Sequence, residues 1–426
     1  MIYCLLHCYS DNNKGDLGIV LGTIKAIREN DKEAKIIAIS TYNYDDPMFI
    51  SDHVLLKPYV DELLPAFFGI INNKNKSGND TGLLSKVILG IKDGIRYYLF
   101  LKMTDKKINN YFVDAQEKNS IEKMISADFI ISKGGSFICN ENNIREKLGL
   151  YRILYPFFLC QAKEKQYYLL GQSIGPIYGK KSISLSNKVI EKSKRIFLRE
   201  KRCIKEYPYL RLTADNIEVG RDCAFLYDSI DDDNFAFKKT KGINIGITLK
   251  YTAEEKEYNK MILGAIKHLV KRYKANVFLI THVHVDNDGE KSQEIFQQLN
   301  PIIRKNVEII DQNYSVSELR GIYKQMEFNI CTRLHSAIFS LSTETPAICI
   351  AYHGTKAQGV FELLELEKFV ITQDNYNEEK LIGLIDDIIA NKDIIRQSLK
   401  KEIPKTKELV NIMVENIIAE KLVFET

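Results

Sequence analysis

A strand runs directly into a helix in the stretch NICTRLHSAIFSL (residues 329–341). The apolar residues up to Cys331 predict a short buried strand, and the apolar rhythm that resumes at Leu334 predicts a helix immediately after it. Arg333 and His335 stand at the junction between the two. A strand followed by a helix is the repeating unit of parallel α/β sheets, so this stretch favours an α/β fold.

The same alternation of short apolar runs with helical periodicity extends along most of the chain. Strands are predicted at 2–8, 35–40, 128–132, 167–171, 195–199, 243–249, 276–281, 307–310, 328–331, 347–351 and 369–371. Helices are predicted at 15–29, 182–193, 254–272, 289–299, 315–325, 334–342, 356–365, 378–390 and 405–421. There are too many strands for one sheet, so we predict two doubly wound, Rossmann-like α/β domains that face a cleft.

A polar stretch, DSIDDDNFAFKKTKG (228–242), interrupts this rhythm and marks the predicted domain boundary. The prediction is an N-terminal α/β domain over 1–232 that carries an inserted helical segment at 71–125. A C-terminal α/β domain over 240–404 and a closing helix over 405–426 complete the chain.

Composition excludes several classes of protein. The net charge of +4, from 60 basic and 56 acidic residues, is too small for a nucleic-acid-binding surface. No apolar run reaches the length of a membrane span, and the N-terminus lacks the features of a signal peptide. The eight cysteines form no Cys-x-x-Cys pair, which predicts reduced thiols and no structural zinc site. We therefore expect a cytoplasmic protein.

Arg333 and His335 predict a distinct chemistry at the junction. A helix that starts there would present free N–H groups between Leu334 and Ser336 and a positive dipole end, and both favour an anion. Arg333 would add a planar fork suited to carboxylate or phosphate, while His335 could move a proton. Thr332 or Ser336 could cap the helix. The alternative is an ordinary ion pair at Arg333 and a buried, hydrogen-bonded His335, and these residues alone leave both open.

Other predicted strand ends also carry residues suited to a ligand site. Polar or glycine-bearing loops follow several of the strands. Their candidate residues are Asn13, Gly15, Asp16, Gly134, Gly135, Gln172, Ser173, Arg199, Tyr352 and Lys356. Ligands of open parallel sheets bind beyond the carboxyl ends of the strands, so these residues predict one shared site.

These motifs resemble the polysaccharide pyruvyl transferase family. The matching pieces, in the family's order, are Asn13-Lys14-Gly15-Asp16, Gly134-Gly135, GQSIGP (171–176), Arg199-Glu200, Asp222-Cys223-Ala224-Phe225, Arg333-Leu334-His335, and Pro346 followed by Tyr352 and Lys356. They span most of the chain. The chain departs from the family at Ser136, where a third glycine is common, and at Cys223, where a proline is common.

The resemblance implies a GT-B-like, two-domain fold and transfer of the pyruvyl unit of phosphoenolpyruvate onto two hydroxyls of a sugar. The C-terminal domain would hold the donor and the N-terminal domain the acceptor, with no metal or other cofactor. Implied catalytic residues are His335 and Asp16. Implied ligands of phosphoenolpyruvate are Arg199, Arg333, Leu334, Ser336 and Lys356. Implied cleft and acceptor residues are Asn13, Gly15, Gly134, Gly135, Gln172, Ser173 and Tyr352.

Two other functions stay open. A glycosyltransferase of the same shape would need a base and ribose site, to which THVHVDND (281–288) could contribute. His282 and His284 alternate along a predicted strand and would point to opposite faces, which makes one of them structural. A non-catalytic sugar-binding relative is disfavoured because Arg333 and His335 are both present.

The expected acceptor is a sugar on a polyprenyl-phosphate lipid at the inner face of the cell membrane. The segment 81–104 has an apolar stripe at helical spacing with basic residues beside it. We favour a helix packed on the N-terminal domain. An interfacial helix that rests on anionic lipid is the alternative, and would give the protein a peripheral membrane contact.

Overall fold

The computed structural model describes residues 1–67, 91, 95, 114–228, 242–352, 354 and 356–425. Contacts divide the chain into two compact units. Unit 1 comprises Met1–Asp11, Thr23–Asp222 and Asn411–Thr426, and unit 2 comprises Asn12–Gly22 and Cys223–Val410. The chain divides between Asp222 and Cys223, ahead of the predicted boundary at 228–242, and two short segments belong to the unit that chain order does not suggest. Asn12–Gly22 packs with unit 2, and the last residues pack with unit 1.

Unit 1 is built on an all-parallel sheet of eight strands. The strands are β1 (Ile2–Cys8), β2 (Lys35–Ser40), β3 (Glu62–Leu64), β4 (Phe129–Ser132), β5 (Gly135–Ile138), β6 (Tyr168–Ile174), β7 (Arg195–Leu198) and β8 (Ile217–Val219). Their order is β3-β2-β1-β4-β6-β7-β8, and β5 pairs with β6. The helices are α1 (Lys14–Asn30), whose first half belongs to unit 2, α2 (Pro47–Ser51), α3 (Ala115–Ser126), α4 (Ile144–Ala162), α5 (Lys180–Lys192) and α6 (Arg202–Glu206).

Unit 2 is built on an all-parallel sheet of six strands in the order β11-β10-β9-β12-β13-β14. They are β9 (Asn244–Thr248), β10 (Asn276–Ile280), β11 (Val307–Ile310), β12 (Phe328–Cys331), β13 (Ala347–Ile350) and β14 (Val370–Ile371). The helices are α7 (Glu255–Tyr273), α8 (Asp288–Gln298), α9 (Pro301–Arg304), α10 (Val316–Lys324), α11 (Leu334–Ser342), α12 (Lys356–Glu362) and α13 (Glu378–Glu425), whose residues from Asn411 onward belong to unit 1. The order reverses between β9 and β12, as in the doubly wound nucleotide-binding folds.

The apolar runs form strands because both faces of each sheet are covered. Every residue of β12 and β13 is buried, as expected for parallel strands between two layers of helices. All eight cysteines are free, and seven of them are buried in these layers. That these thiols are reduced stays a prediction.

Most predicted elements are confirmed, and the differences have physical causes. The prediction missed β3, β5 and β8, which contain only three or four residues each. It also missed α4, whose sequence contains Pro156, a residue that normally ends a helix. The predicted helices 378–390 and 405–421 are parts of the single helix α13, which continues through Pro404.

Much of the inserted segment predicted at 71–125 lies outside the described residues. The membrane-contact segment 81–104 does so too, except for Ile91 and Ile95. These two residues are helical and exposed to 58% and 54%. Within the described ranges, no helix combines the length and apolar content needed to cross a bilayer.

Candidate functional site

The carboxyl ends of β9 and β12 lie side by side at the point where the strand order of unit 2 reverses. Thr332, just after β12, donates its backbone N–H to the carbonyl oxygen of Thr248 at 3.2 Å. The Thr248 and Ser336 hydroxyls are 2.8 Å apart. These bonds fix the start of α11 at the edge of the sheet, where doubly wound folds bind their ligands.

Arg333 is the N-cap residue of α11, with extended backbone angles and no side-chain cap. The prediction that Thr332 or Ser336 caps the helix is therefore wrong. Ser336 donates its hydroxyl to the Arg333 carbonyl at 2.7 Å, and the Thr332 hydroxyl lies 2.7 Å from that of Tyr258. Both hydroxyls are buried in bonds that stabilise the junction, so Ser336 contributes to the helix start through its backbone N–H.

Two aspartates hold the Arg333 guanidinium. Nε and Nη2 donate to the two carboxylate oxygens of Asp288 at 3.2 and 2.5 Å. Nη1 donates to Asp286 at 2.7 Å. Asp288 is fully buried, whereas the Asp286 side chain is 42% exposed and also accepts from Lys250 at 3.1 Å. Asp288 thus fixes the plane of the guanidinium, and Asp286 occupies its more accessible side.

The opposite charges of Arg333 and Asp286 shift each other's pKa toward the ionised form. Burial lowers the pKa of Arg333, but the Asp288 carboxylate outweighs it and the net shift is upward. Burial raises the pKa of Asp286, but Arg333 and Lys250 outweigh it and the net shift is downward. Burial raises the pKa of Asp288 against the opposing effect of Arg333. The ion pair that was the alternative interpretation of Arg333 is therefore present.

His335 lies in the first turn of α11, against the backbone of helix α1. A Cβ placed on Gly15 would lie 2.3 Å from Nδ1 of His335 and 2.6 Å from its Cβ. Gly18 and Gly22 make similarly close approaches, to Phe339 and to the backbone of Cys223. Gly15 and Gly18 thus allow α1 to pack closely on α11, and Gly22 allows it to pack on the backbone of Cys223. These contacts explain why this part of α1 belongs to unit 2.

Asn13 and Asp16 form a reciprocal pair at the start of α1. The Asn13 amide donates to the Asp16 carboxylate at 2.6 Å, and the Asp16 backbone N–H donates to the Asn13 side chain at 3.3 Å. Asn13 also makes an isolated β-bridge with Val283. These contacts give Asp16 a structural role, and its predicted catalytic role stays a prediction.

Tyr352 and Lys356 follow β13 at the same edge of the sheet. The Lys250 ammonium lies 5.1 Å from the centre of the Tyr352 ring, and the Lys356 ammonium lies 5.9 Å from it. Burial raises the pKa of Tyr352, and nearby Arg333 opposes this. Two lysines and an arginine therefore surround one aromatic ring beside α11.

The pKa of His282 is lowered by burial and by the positive charges of this region. This histidine is fully buried, and its Nδ1 lies 3.0 Å from the Tyr323 hydroxyl. Burial lowers its pKa most, and His335, Arg333 and the buried Lys14 lower it further. Of the two histidines predicted to alternate, His282 is the structural one. Both lie beyond the end of β10 rather than in a strand.

A second polar group lies at the carboxyl ends of β1 and β4 in unit 1. His7 Nδ1 is 3.0 Å from the Ser132 hydroxyl, and His7 Nε2 is 3.0 Å from the carbonyl oxygen of Ile153. Only an N–H can pair with a carbonyl, so neutral His7 carries its proton on Nε2. Burial, together with Lys133, lowers the pKa of His7 to about 3. The Gln172 amide donates to Ser132 at 3.3 Å and to the Lys133 carbonyl.

Arg199, at the end of β7, is also paired within unit 1. Its Nη1 donates to Asp222 at 2.8 Å and its Nε to Ser173 at 3.0 Å, and both charged side chains are buried. The predicted pair Gly134 and Gly135 lies at the start of β5. Gly135 has a φ of +138°, which favours glycine, and a Cβ there would lie 3.1 Å from the Phe137 ring.

The structure places nine of the predicted residues in unit 2, in helix α1 and around the reversal of strand order. They are Asn13, Gly15, Asp16, Arg333, Leu334, His335, Ser336, Tyr352 and Lys356. Gly134, Gly135, Gln172, Ser173 and Arg199 belong to unit 1. Sequence reasoning missed Lys250, and it considered Asp286 and Asp288 only within THVHVDND (281–288), as part of a base and ribose site. Their signal was their position in the polar segments that follow β9 and β10. Among the described residues, no three His, Cys, Asp or Glu side chains form a metal-ligand group.

Two parallel, doubly wound units with a polar site at the carboxyl edge define the GT-B class of fold. Solved structures agree. The UDP-GlcNAc 2-epimerase from Neisseria meningitidis bound to UDP-GlcNAc aligns with a TM-score of 0.54 at 10% identity, covering 98% of this chain and 100% of that one. A glycosyltransferase from Rickettsia africae aligns with a TM-score of 0.55 at 12% identity, covering 99% and 98%. These likenesses show the fold alone.

Sequence comparison identifies the family. Residues 13–354 match the polysaccharide pyruvyl transferase family, so the chain belongs to it and is a transferase. The amylovoran biosynthesis protein AmsJ of Erwinia amylovora is 20% identical over 425 residues, which cover 95% of this chain and 96% of that protein. The resemblance inferred from the sequence motifs is confirmed.

Proposed function

We propose that the protein transfers the pyruvyl unit of phosphoenolpyruvate onto two hydroxyls of one sugar during exopolysaccharide synthesis. Membership of the family and similarity to AmsJ support the reaction class and the setting. The observation that carries the choice of donor is Arg333, held in place by Asp288 beside Lys250 and the start of α11. Phosphoenolpyruvate bears a phosphate and a carboxylate, which guanidinium groups and helix starts bind well.

The reaction balances without a further reagent. Carbon 3 of the donor takes up one proton and becomes a methyl group, which leaves a cationic centre at carbon 2. Two sugar hydroxyls add to carbon 2 and lose their protons, while the bond from carbon 2 to the phosphate oxygen breaks. One of those protons replaces the proton taken up by carbon 3, and the other leaves on the phosphate. The protein therefore has to bind anions, move protons and stabilise a transient positive charge.

Arg333 is suited to bind the donor because its two aspartates differ in exposure. Asp288 is buried and bidentate, so it orients the guanidinium without being exchanged. Asp286 is partly exposed, and an exposed ion pair contributes only about 0.2–1 kcal/mol. An anionic group of the donor would displace Asp286 and bind Nη1 and Lys250. Asp286 would thus occupy the anion position until the donor arrives.

His335 is proposed as the proton-transfer residue, because it lies in the first turn of α11, two residues after Arg333, and packs against Gly15. A histidine commonly contributes about 10²–10⁴-fold to a proton-transfer step. Replacing it by glutamine should lower turnover by that amount and leave binding of phosphoenolpyruvate intact. A turnover within a few-fold of the wild type would assign the proton step to another group.

The predicted role of Arg199 in donor binding needs a separate test, because Arg199 belongs to unit 1 whereas Arg333 belongs to unit 2. We assign the donor to the Arg333 group of unit 2. Arg199 has one buried nitrogen, Nη2, that makes no hydrogen bond. An anion bound there would pair with Nη2, so Arg199→Lys should weaken anion binding in unit 1 if this second contact exists.

The deciding experiment measures phosphate release and product mass from phosphoenolpyruvate with a panel of lipid-linked sugars. The test variant is Arg333→Lys, which keeps the charge but loses the planar fork. The matched control is Arg272→Ala, an exposed arginine of the same unit. We expect release of phosphate by the wild type and the control, and strong loss in Arg333→Lys. Tight binding of a nucleotide sugar without binding of phosphoenolpyruvate, measured by calorimetry, would instead support a glycosyltransferase.

We also propose that the acceptor is linked to a polyprenyl-phosphate lipid, and that the protein contacts the membrane peripherally. Ile91 and Ile95 support this contact, because they lie one helical turn apart and are both exposed. Replacing both with serine should abolish sedimentation with anionic liposomes and leave thermal stability nearly unchanged. A wild-type protein that never sediments with such liposomes at low salt would end the membrane proposal and leave the reaction unaffected.

A further inference from the structure

A cavity of ≈ 840 Å³ lies in unit 2, beside the Arg333 site. It is formed where β13 and β14 end, since Ala351 and Thr372 line it. Its volume falls within the range of about 300–1,000 Å³ that is typical of small-molecule sites. Its polar lining side chains are Glu254, Glu257, Gln358, Gln373, Asp374 and Asn375.

The chemistry of this lining differs from that of the Arg333 site. Three carboxylates and three amides provide many acceptors and several donors, in the mixture that hydroxyl groups require. Among the described residues, no lysine, arginine or histidine lines the cavity. An anionic ligand would therefore be repelled, and an uncharged ligand rich in hydroxyls would be well matched.

Tyr376 supplies an apolar surface at the wall of the cavity. Its hydroxyl donates to the Ala351 carbonyl at 3.3 Å, and its ring packs 5.8 Å from that of the buried Tyr258. Both contacts fix the ring in position. A fixed aromatic face beside carboxylates and amides suits a sugar ring, which has apolar C–H faces and polar edges.

The cavity is adjacent to the proposed donor site. Ala351 lines the cavity, and the next residue, Tyr352, is the ring beside Lys250 and Lys356. Burial raises the pKa of Tyr352, and Arg333 is among the charges that act on it. A ligand that contacts Ala351 in the cavity would therefore lie next to Tyr352 and the lysines beside its ring.

We propose that this cavity binds the uncharged acceptor sugar. The assignment of the bound sugar as acceptor rests on the proposed function, whereas the binding itself does not. It places the sugar in unit 2, unlike the expectation of an acceptor in the N-terminal domain. The two neighbouring sites would then divide the substrates by charge, with the anionic donor held by the cations around Arg333 and the neutral sugar held by the carboxylates and amides.

The binding test uses saturation-transfer NMR without phosphoenolpyruvate. The probes are the methyl glycosides of galactose, glucose, mannose and N-acetylmannosamine, with methyl galacturonide as the charged counterpart of the galactoside. The variant is Gln358→Ala/Gln373→Ala, which leaves the carboxylates in place. Gln397→Ala, an exposed glutamine on α13 of the same unit, is the matched control.

We expect at least one neutral glycoside to bind saturably, and the galacturonide to bind far more weakly because of the acidic lining. Loss of two hydrogen-bonding amides should weaken binding roughly tenfold, while the control matches the wild type. With active enzyme, the double variant should raise KM for the acceptor and leave KM for phosphoenolpyruvate unchanged.

Three results would overturn the proposal: no saturable binding of any neutral glycoside, binding that the double variant leaves unchanged, or a galacturonide that binds as well as the galactoside. A nucleotide that binds the wild type but not the double variant would assign the cavity to a different ligand and also overturn it. Failure of the pyruvyl-transfer reaction alone would leave the binding result standing, so the two proposals fail separately.

Discussion

Gly15→Ala tests the contact between helix α1 and His335 directly. The new Cβ would lie 2.3, 2.5 and 2.6 Å from Nδ1, Cγ and Cβ of His335. Ordinary contacts of a Cβ begin at 3.4 Å, so the separation to be opened at the Cβ of His335 is 3.4 − 2.6 = 0.8 Å. Because the clash includes the Cβ of His335, rotation of the imidazole cannot relieve it. One of the two helices must shift.

A shift of about 1 Å at a catalytic group can cost 10²-fold in rate. Overpacking of this kind typically costs about 1–3 kcal/mol of stability. We therefore expect Gly15→Ala to fold with reduced stability and to lose about 10²-fold in turnover. Gly383→Ala is the matched control, since that helical glycine in α13 faces open space. It should gain roughly 0.5–1 kcal/mol and keep full activity.

The assays are thermal unfolding, phosphate release and the imidazole signals of the seven histidines in a ¹H–¹³C spectrum. The His335 signal is assigned with His335→Gln. We expect this signal to move in Gly15→Ala and to stay in place in Gly383→Ala. An unmoved signal together with turnover within twofold of the wild type would refute the packing argument. The spectrum tests the contact even if phosphoenolpyruvate is not the donor.

Three other predictions follow from charged and titrating groups. Asp288→Asn should destabilise the protein by about 3–5 kcal/mol and raise KM for phosphoenolpyruvate, because it leaves Arg333 buried without its main partner. Asp286→Asn should instead lower this KM by up to about fivefold, since it removes an exposed competitor for the donor. Equal effects of the two variants would contradict the roles assigned to the two aspartates. Asp222→Asn should also lower the free energy of unfolding by about 3–5 kcal/mol, measured by thermal or denaturant unfolding, because its partner Arg199 is equally buried. A change below about 1 kcal/mol would show that this ion pair is dispensable. The pKa of His7 is lowered from 6.5 to about 3 in the folded state. The contribution of His7 to the free energy of unfolding is therefore complete above pH 6.5 and declines by about 1.4 kcal/mol per pH unit as the pH falls toward 3. His7→Asn should lack this slope in denaturant titrations between pH 7 and 4, and parallel slopes in the variant and the wild type would show that His7 titrates normally.

Local sequence patterns predicted the elements that carry the site. The predicted helix 334–342 and strand 328–331 match α11 and β12 residue for residue. Both have a strong apolar rhythm and an abrupt polar junction, so the signal is contained in a short run of adjacent residues. The weak signals were the three- and four-residue strands, which are too short to show a period, and the two helices that continue through proline.

The sequence by itself determined the α/β class, the family and the chemical character of the junction, because each depends on residues that are close together along the chain. Only the tertiary structure decided which side chains meet. Arg333 is 45 residues from Asp288 in the chain, yet the two are bonded because β10 and β12 are parallel strands on either side of β9. Gly15 lies against His335 because small residues let α1 pack on α11. Such contacts depend on strand order and helix packing, which no local pattern encodes.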